Sequence, residues 1–248
     1  MSDEKILAWH FVGDRLRDGR PVPPDGQLLV HVGQVVLYEK GLHAAPLLRD
    51  ALREKRTSTN TICRVELSGA IEHGGTIVAA SERRILWRIP ATGMLSDFAR
   101  RCAWQVREHL PPALRVTAER WFDSGDPSPL GEVEAIARRH ARNGNGSTSF
   151  ASASLLWSGD YSHNWGSGFF AASSAMWAID WAAGGDPLCH PTAAALDAME
   201  EQNAWLEAAA ERMHAGTYET WTPAQETNQA ANTVATAVPT AERSEGEL

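Results

Sequence analysis

A thiol beside an imidazole can make a nucleophile with its own base, and the chain carries one adjacent pair, Cys189-His190. The pair is isolated, and its expected role is structural. Cys63, Cys102 and Cys189 form an odd, widely spaced set with no CxxC. That pattern argues against a zinc site or a disulfide framework and for three reduced, buried thiols. There is no GxGxxG after a strand, no GxxxxGK[ST], no HExxH and no Gly-x-Ser-x-Gly elbow. The sequence therefore calls for neither a metal nor a cofactor. What stands out is tryptophan, ten in all, with Trp157, Trp165, Trp177, Trp181, Trp205 and Trp221 in the C-terminal part. A buried indole needs a partner for its N–H, so such a cluster is either a bulky, specific core or a contact surface. The contact reading puts a partner, expected to be another protein, on Trp157, Tyr161, Trp165, Phe169 and Trp177. Aromatic side chains suit that role because they bring large area for little lost side-chain freedom.

Charge narrows the partner class. Lys and Arg number 23 against 31 Asp and Glu, a formal net charge of −8. Gripping phosphates electrostatically needs a surplus of cations, so nucleic acid is not the expected partner. Arg138, Arg139, His140 and Arg142 are the basic cluster of note, and they fall where a helix C-terminus favours cations. The N-terminal Met-Ser-Asp-Glu-Lys is charged, and no apolar run follows it or reaches the ~20 residues a membrane helix needs. A cytoplasmic protein without membrane contact is expected.

These residues must be positioned by an α+β chain. Residues 1–90 read as a β-rich module. Ile6–Val12 is a short strand, Arg20–Gly26 a stiff Pro-rich loop, and Leu28–Val32 with Val35–Tyr38 a hairpin about Gly33-Gln34. Pro46 suits the first residue of a helix running to Lys55. Thr61–Ser68, Thr76–Ala80 and Arg84–Ile89 are further strands. Residues 91–142 turn helical. Ser96 caps a helix carrying Phe98, Cys102, Val106 and Leu110 one turn apart, and 113–122 and 131–142 follow as two more.

Residues 143–216 hold a Gly/Ser/Ala/Trp-rich tract and a terminal helix. Small residues with spaced aromatics predict close-packed turns or a short stacked coil. Thr192 caps the last helix, and Leu196, Met199, Asn203, Leu206, Ala210 and Met213 make a heptad-like seam. That seam either packs on the body or forms a homodimer through 196–213. Gly216 stops the helix. Residues 217–248, Thr/Ala/Gln/Glu-rich beyond Thr222, read as a disordered tail because they carry too little apolar surface to offset the entropy of ordering.

The phrases Glu39-Lys40-Gly41-Leu42-His43-Ala44, Cys63-Arg64-Val65-Glu66-Leu67-Ser68-Gly69 and Ser158-Gly159-Asp160-Tyr161-Ser162 resemble an uncharacterised family encoded by phages and prophages. The resemblance covers about residues 7–90, the character of 143–214, and Gln202-Asn203-Ala204. It implies a host-cytoplasmic setting and no particular activity. His10 on an early strand, Gly41-Leu42-His43-Ala44-Ala45 before a helix, and Glu82 before a late strand resemble, more distantly, ADP-ribosyltransferases of the His-Tyr-Glu type. That likeness implies an NAD cofactor in the N-terminal module, with His10 and His43 positioning it and Glu82 beside the developing ribosyl cation. The sequence departs from the pattern at Phe11-Val12, where Gly-Thr is usual, and at His43, where Tyr is usual. Ser147-Thr148-Ser149 is similar to the Ser-Thr-Ser of other transferases of this class but lacks a downstream Glu-x-Glu. The plainer readings are a strand histidine for His10, a turn residue for His43 and a solvated carboxylate for Glu82.

Overall fold

The structure, a computed structural model, describes residues 4–16, 19–55, 60–126, 128–143, 146–159, 167–185 and 190–226. It is an α+β fold. The strands are β1 (Ile6–Val12), β2 (Leu28–Val30), β3 (Leu42–Ala44), β4 (Thr61–His73) and β5 (Val78–Pro90), and a short helix α1 (Leu48–Arg53) lies between β3 and β4. The sheet is antiparallel, in the order β1-β4-β5-β2, with β3 also paired to β5. Trp9 N–H donates to the Ala45 carbonyl at 2.7 Å and Ala45 N–H to the Trp9 carbonyl at 2.9 Å. That pair ties β1 to the end of β3 and curls the sheet onto itself.

Alternation along a strand sends successive side chains to opposite faces. On one face, Trp9, Phe11, Ile62 and Ile89 join the main core. On the other, Ala8, Val12, Cys63, Val65, Leu67 and Ile85 line the inside of the curl, with Ala44, Val78 and Ala80. The main core is completed by α2 (Thr92–Gln105), α3 (Pro112–Ser124), α4 (Leu130–Asn143), α5 (Gly146–Gly159), α6 (Ser167–Ala182) and α7 (Ala193–His214). One core thus draws on the segments 1–90, 91–142 and 143–216 together.

Several local expectations are corrected. Val35–Tyr38 does not pair with β2. β2 lies along β5 instead, and the Val36 carbonyl accepts from the N–H groups of both Glu39 and Lys40, closing a tight turn through Tyr38 at φ 67. The strands expected at 76–80 and 84–89 are one strand, so Glu82 sits inside β5 rather than ahead of it. The helix expected to start at Ser96 starts at Thr92, because the Ala91 N–H is held by the Asn60 carbonyl just after the sheet ends. In its described residues the Gly/Ser/Ala tract forms two helices, α5 and α6, where turns or coil were expected. Alanine is the best helix former, and buried serines return their hydroxyls to the main chain, Ser158 to the Leu155 carbonyl (2.7 Å) and Ser154 to the Ala171 carbonyl (2.9 Å).

Residues 217–226, expected as the start of a disordered tail, are held against α2. Asp97 Oδ2 accepts from the Tyr218 hydroxyl at 2.7 Å and from the Trp221 N–H at 3.1 Å. Arg100 donates to the Trp221 carbonyl, and the Trp221 indole is 2% exposed. Residues 227–248, Tyr161, Trp165 and Cys189 lie outside the described residues.

Candidate functional site

Two places gather the residues singled out above. The first is the sheet. His10 faces Cys63 across β1 and β4, and Arg83 faces Leu67 across β4 and β5. The shared register puts His10, Cys63 and Arg83 on the inner face of the curl. Glu82 faces Ser68, whose hydroxyl donates to Glu82 Oε2 at 2.7 Å. Neighbours on a strand point to opposite sides, so Glu82 and His10 stand on opposite faces. His43 on β3 gives its main-chain oxygen to Arg83 Nη1 at 2.9 Å. The trio His10, His43 and Glu82 therefore does not line a common cleft. Burial, then the Arg83 guanidinium and the nearby His43, hold the His10 imidazole well below its ordinary range. Burial also pushes the Cys63 thiol up to about 11, so no thiolate–imidazolium pair forms there at neutral pH.

The second place is the α5–α6 hairpin. On α6, Phe170, Trp177 and Trp181 recur at steps of seven and four, which is one helical face. On α5, Phe150 and Trp157 are seven apart and meet them. The rings of Trp157 and Phe170 stack with centroids 4.8 Å apart, and those of Phe150 and Trp177 lie at 6.4 Å. Ala172, Ala175 and Ala178 of α6, with Ala151 and Leu155 of α5, fill the core side. Phe150 packs against that core as well, while Trp157, Phe170, Trp177 and Trp181 form a ridge on the outer side. Phe170 is 41% exposed and Trp181 43%. Trp9 and Trp221, in the core, give their indole N–H to Glu207 and Glu226, each at 3.1 Å. The indoles of Trp157, Trp177 and Trp181 make no such bond among the described residues.

Of the predicted contact residues, Trp157 and Trp177 belong to this ridge. Phe169 points the other way. It packs against the main core beneath the Arg49 guanidinium, 5.6 Å from its ring centroid. Sequence reasoning missed Phe170 and Trp181 as members of the ridge. The signal was present as the spacing 170, 177, 181, but it is visible only once the tract is read as helix.

Arg138 of the basic cluster pairs with Glu134 one turn back, Nη2 to Oε1 at 2.6 Å, as on a solvated helix face. The α7 seam is largely used within the chain. Leu206 and Ala210 are buried, Asn203 Oδ1 accepts from the Arg49 N–H at 3.0 Å, and Leu196 is exposed. The buried stripe runs through Ala195, Ala198, Gln202, Leu206 and Ala209. Among the described residues, no helix is long and apolar enough to cross a membrane. Nor, among them, do three or more His, Cys, Asp or Glu converge to hold a metal ion. No known family, curated protein or solved structure matches the chain.

Proposed function

We propose that the protein works by binding another protein through the aromatic ridge of α5 and α6. The observation that carries this reading is the pair Phe170 and Trp181, both more than two-fifths exposed on the face of α6 opposite its buried alanines. Large aromatics that stand clear of the core match the composition of interface centres. Catalysis has no comparable support, because the N-terminal candidates His10 and Glu82 stand on opposite faces of the sheet.

The test is a double substitution, Phe170→Ala with Trp181→Ala, in the full chain. Cross-linking and mass spectrometry in the source cells should lose a reproducible protein partner in the variant. The thermal midpoint should move by no more than that of ordinary surface changes, ~0.5 kcal/mol each. A loss near the 3–5 kcal/mol typical of a buried Phe or Trp would show that the ridge is core and overturn the reading.

A further inference from the structure

Two arginines project onto the inner face of the curled sheet, and they are treated differently. Arg88, opposite Cys63, is neutralised from the loop before β2. Its Nε donates to Asp25 Oδ1 at 2.6 Å and its Nη2 to the Pro23 carbonyl at 2.7 Å. Arg83 is 5% exposed and has no carboxylate within ion-pair distance among the described residues. Among the described residues its one hydrogen bond is from Nη1 to the His43 main-chain oxygen. A guanidinium has five N–H donors, and a carbonyl supplies no counter-charge. Burying a cation without an anion is costly, and folded proteins pair such groups or give them a ligand.

The surroundings sharpen the imbalance. His43 lies at the seam where β3 meets β1, two residues before the Ala45–Trp9 pair, so the Arg83 head is carried across the curl toward His10. The groups acting on His10 are the Arg83 guanidinium from β5 and the His43 side chain from β3. Cys63 from β4 faces it as a neutral thiol. The His10 residue is not fully enclosed, although its imidazole is largely desolvated.

We propose that this inner face binds an oxyanion, the phosphate or carboxylate group of a small ligand, held by the remaining N–H donors of Arg83 and by His10. Planar guanidinium and two-oxygen acceptors match in geometry, and the bond is charge-assisted. An anion seated there also favours the protonated imidazole, so binding takes up a proton at His10 and tightens as pH falls.

The experiment uses the full chain at pH 6 with inorganic phosphate or acetate, against chloride at matched ionic strength. The readouts are the thermal midpoint and the ring-nitrogen NMR signals of His10. The expected result is a saturable rise in midpoint with a shift of the His10 ring toward the protonated form. Phosphate acting alone assigns a phosphate group, and acetate acting alone assigns a carboxylate. Arg83→Gln should weaken the apparent affinity on the order of tenfold or more, with Arg83→Lys partly restoring it and Arg88→Gln leaving it in place. A non-saturating response equal for both anions, or His10 signals that neither anion moves in the unmodified protein, overturns the proposal. The second outcome stands even if Arg83→Gln fails to fold.

Discussion

Glu207 of α7 is the residue whose removal should reach furthest. Its Oε1 accepts from the Leu48 N–H at 3.0 Å and from the Trp9 indole N–H at 3.1 Å. Asn203, one turn earlier, accepts from the Arg49 N–H. The helix α1 has no side-chain cap of its own, since Leu47 stands at its N-cap position. Its first turn is therefore capped from 154 and 159 residues away. Loss of a cap costs about 0.5–2 kcal/mol. Trp9 is 1% exposed, so water cannot replace the lost acceptor, and a stranded buried donor costs about 1–3 kcal/mol. Glu207→Ala should thus destabilise the protein by about 2–4 kcal/mol. At about 2–4 °C per kcal/mol for a chain of this size, the midpoint falls by roughly 4–16 °C. Glu207→Gln keeps an acceptor oxygen and should lose much less.

Asn203→Ala should cost about 1 kcal/mol. The double variant should fall short of the sum, because both residues serve the same helical turn. Urea unfolding followed by circular dichroism and by tryptophan fluorescence measures these changes, and both probes should report one coincident transition. A Glu207→Ala variant within about 0.5 kcal/mol of the parent would refute the capping argument. Two resolved transitions would instead show that the first ninety residues fold as an independent unit.

Further outcomes follow from the same geometry. Because the His10 imidazole titrates below its ordinary 6.5, the unfolded chain binds more protons there than the folded one as pH drops. Stability should therefore fall as pH goes below about 6.5, by up to about 1.4 kcal/mol per pH unit, and His10→Gln should flatten that slope in urea titrations at low anion concentration. Trp221→Ala removes a buried indole and should cost about 3–5 kcal/mol by thermal unfolding, the value for a core residue rather than a tail. A Cβ on Gly146 would fall 1.7 Å from the Trp181 indole, so Gly146→Ala should displace that ring. A shift in tryptophan emission checks this, and an unchanged spectrum would place Trp181 elsewhere.

The sequence made plain those elements whose neighbours do not alter their local preference. β1 matches its expected span of Ile6–Val12, and Phe98, Cys102, Val106 and Leu110 are all buried, although the helix expected to carry the four ends at Gln105, before Val106 and Leu110. Thr192 caps α7 through Oγ1 as expected, accepting from the Ala195 N–H at 3.3 Å. Gly216 adopts φ 73 after its end. Where tertiary contacts override propensity, the local reading fails. Val35 and Val36 favour a strand, yet the Val36 carbonyl closes a turn and Val35 is buried. Ser152, Ser154 and Ser158 disfavour helix interiors in water, yet in α5 they are buried and allow close approach to α6. The aromatic ridge was legible as residue types but not as a surface, because which side of α6 faces outward is set by where its alanines pack. Arg83 gave no signal at all in one dimension, since its lack of a counter-ion among the described residues is a property of the folded sheet.

The cap on α1 also bears on how the molecule is made. The groups that complete its first turn are not synthesised until some 150 residues later, so the N-terminal part leaves the ribosome with the Trp9 donor and the Leu48 and Arg49 amides still awaiting their acceptors. Contacts of such long sequence separation slow folding, because loop-closure entropy comes before the reward. A nascent chain released before α7 is translated should therefore be a substrate for chaperones and proteases rather than a small folded protein.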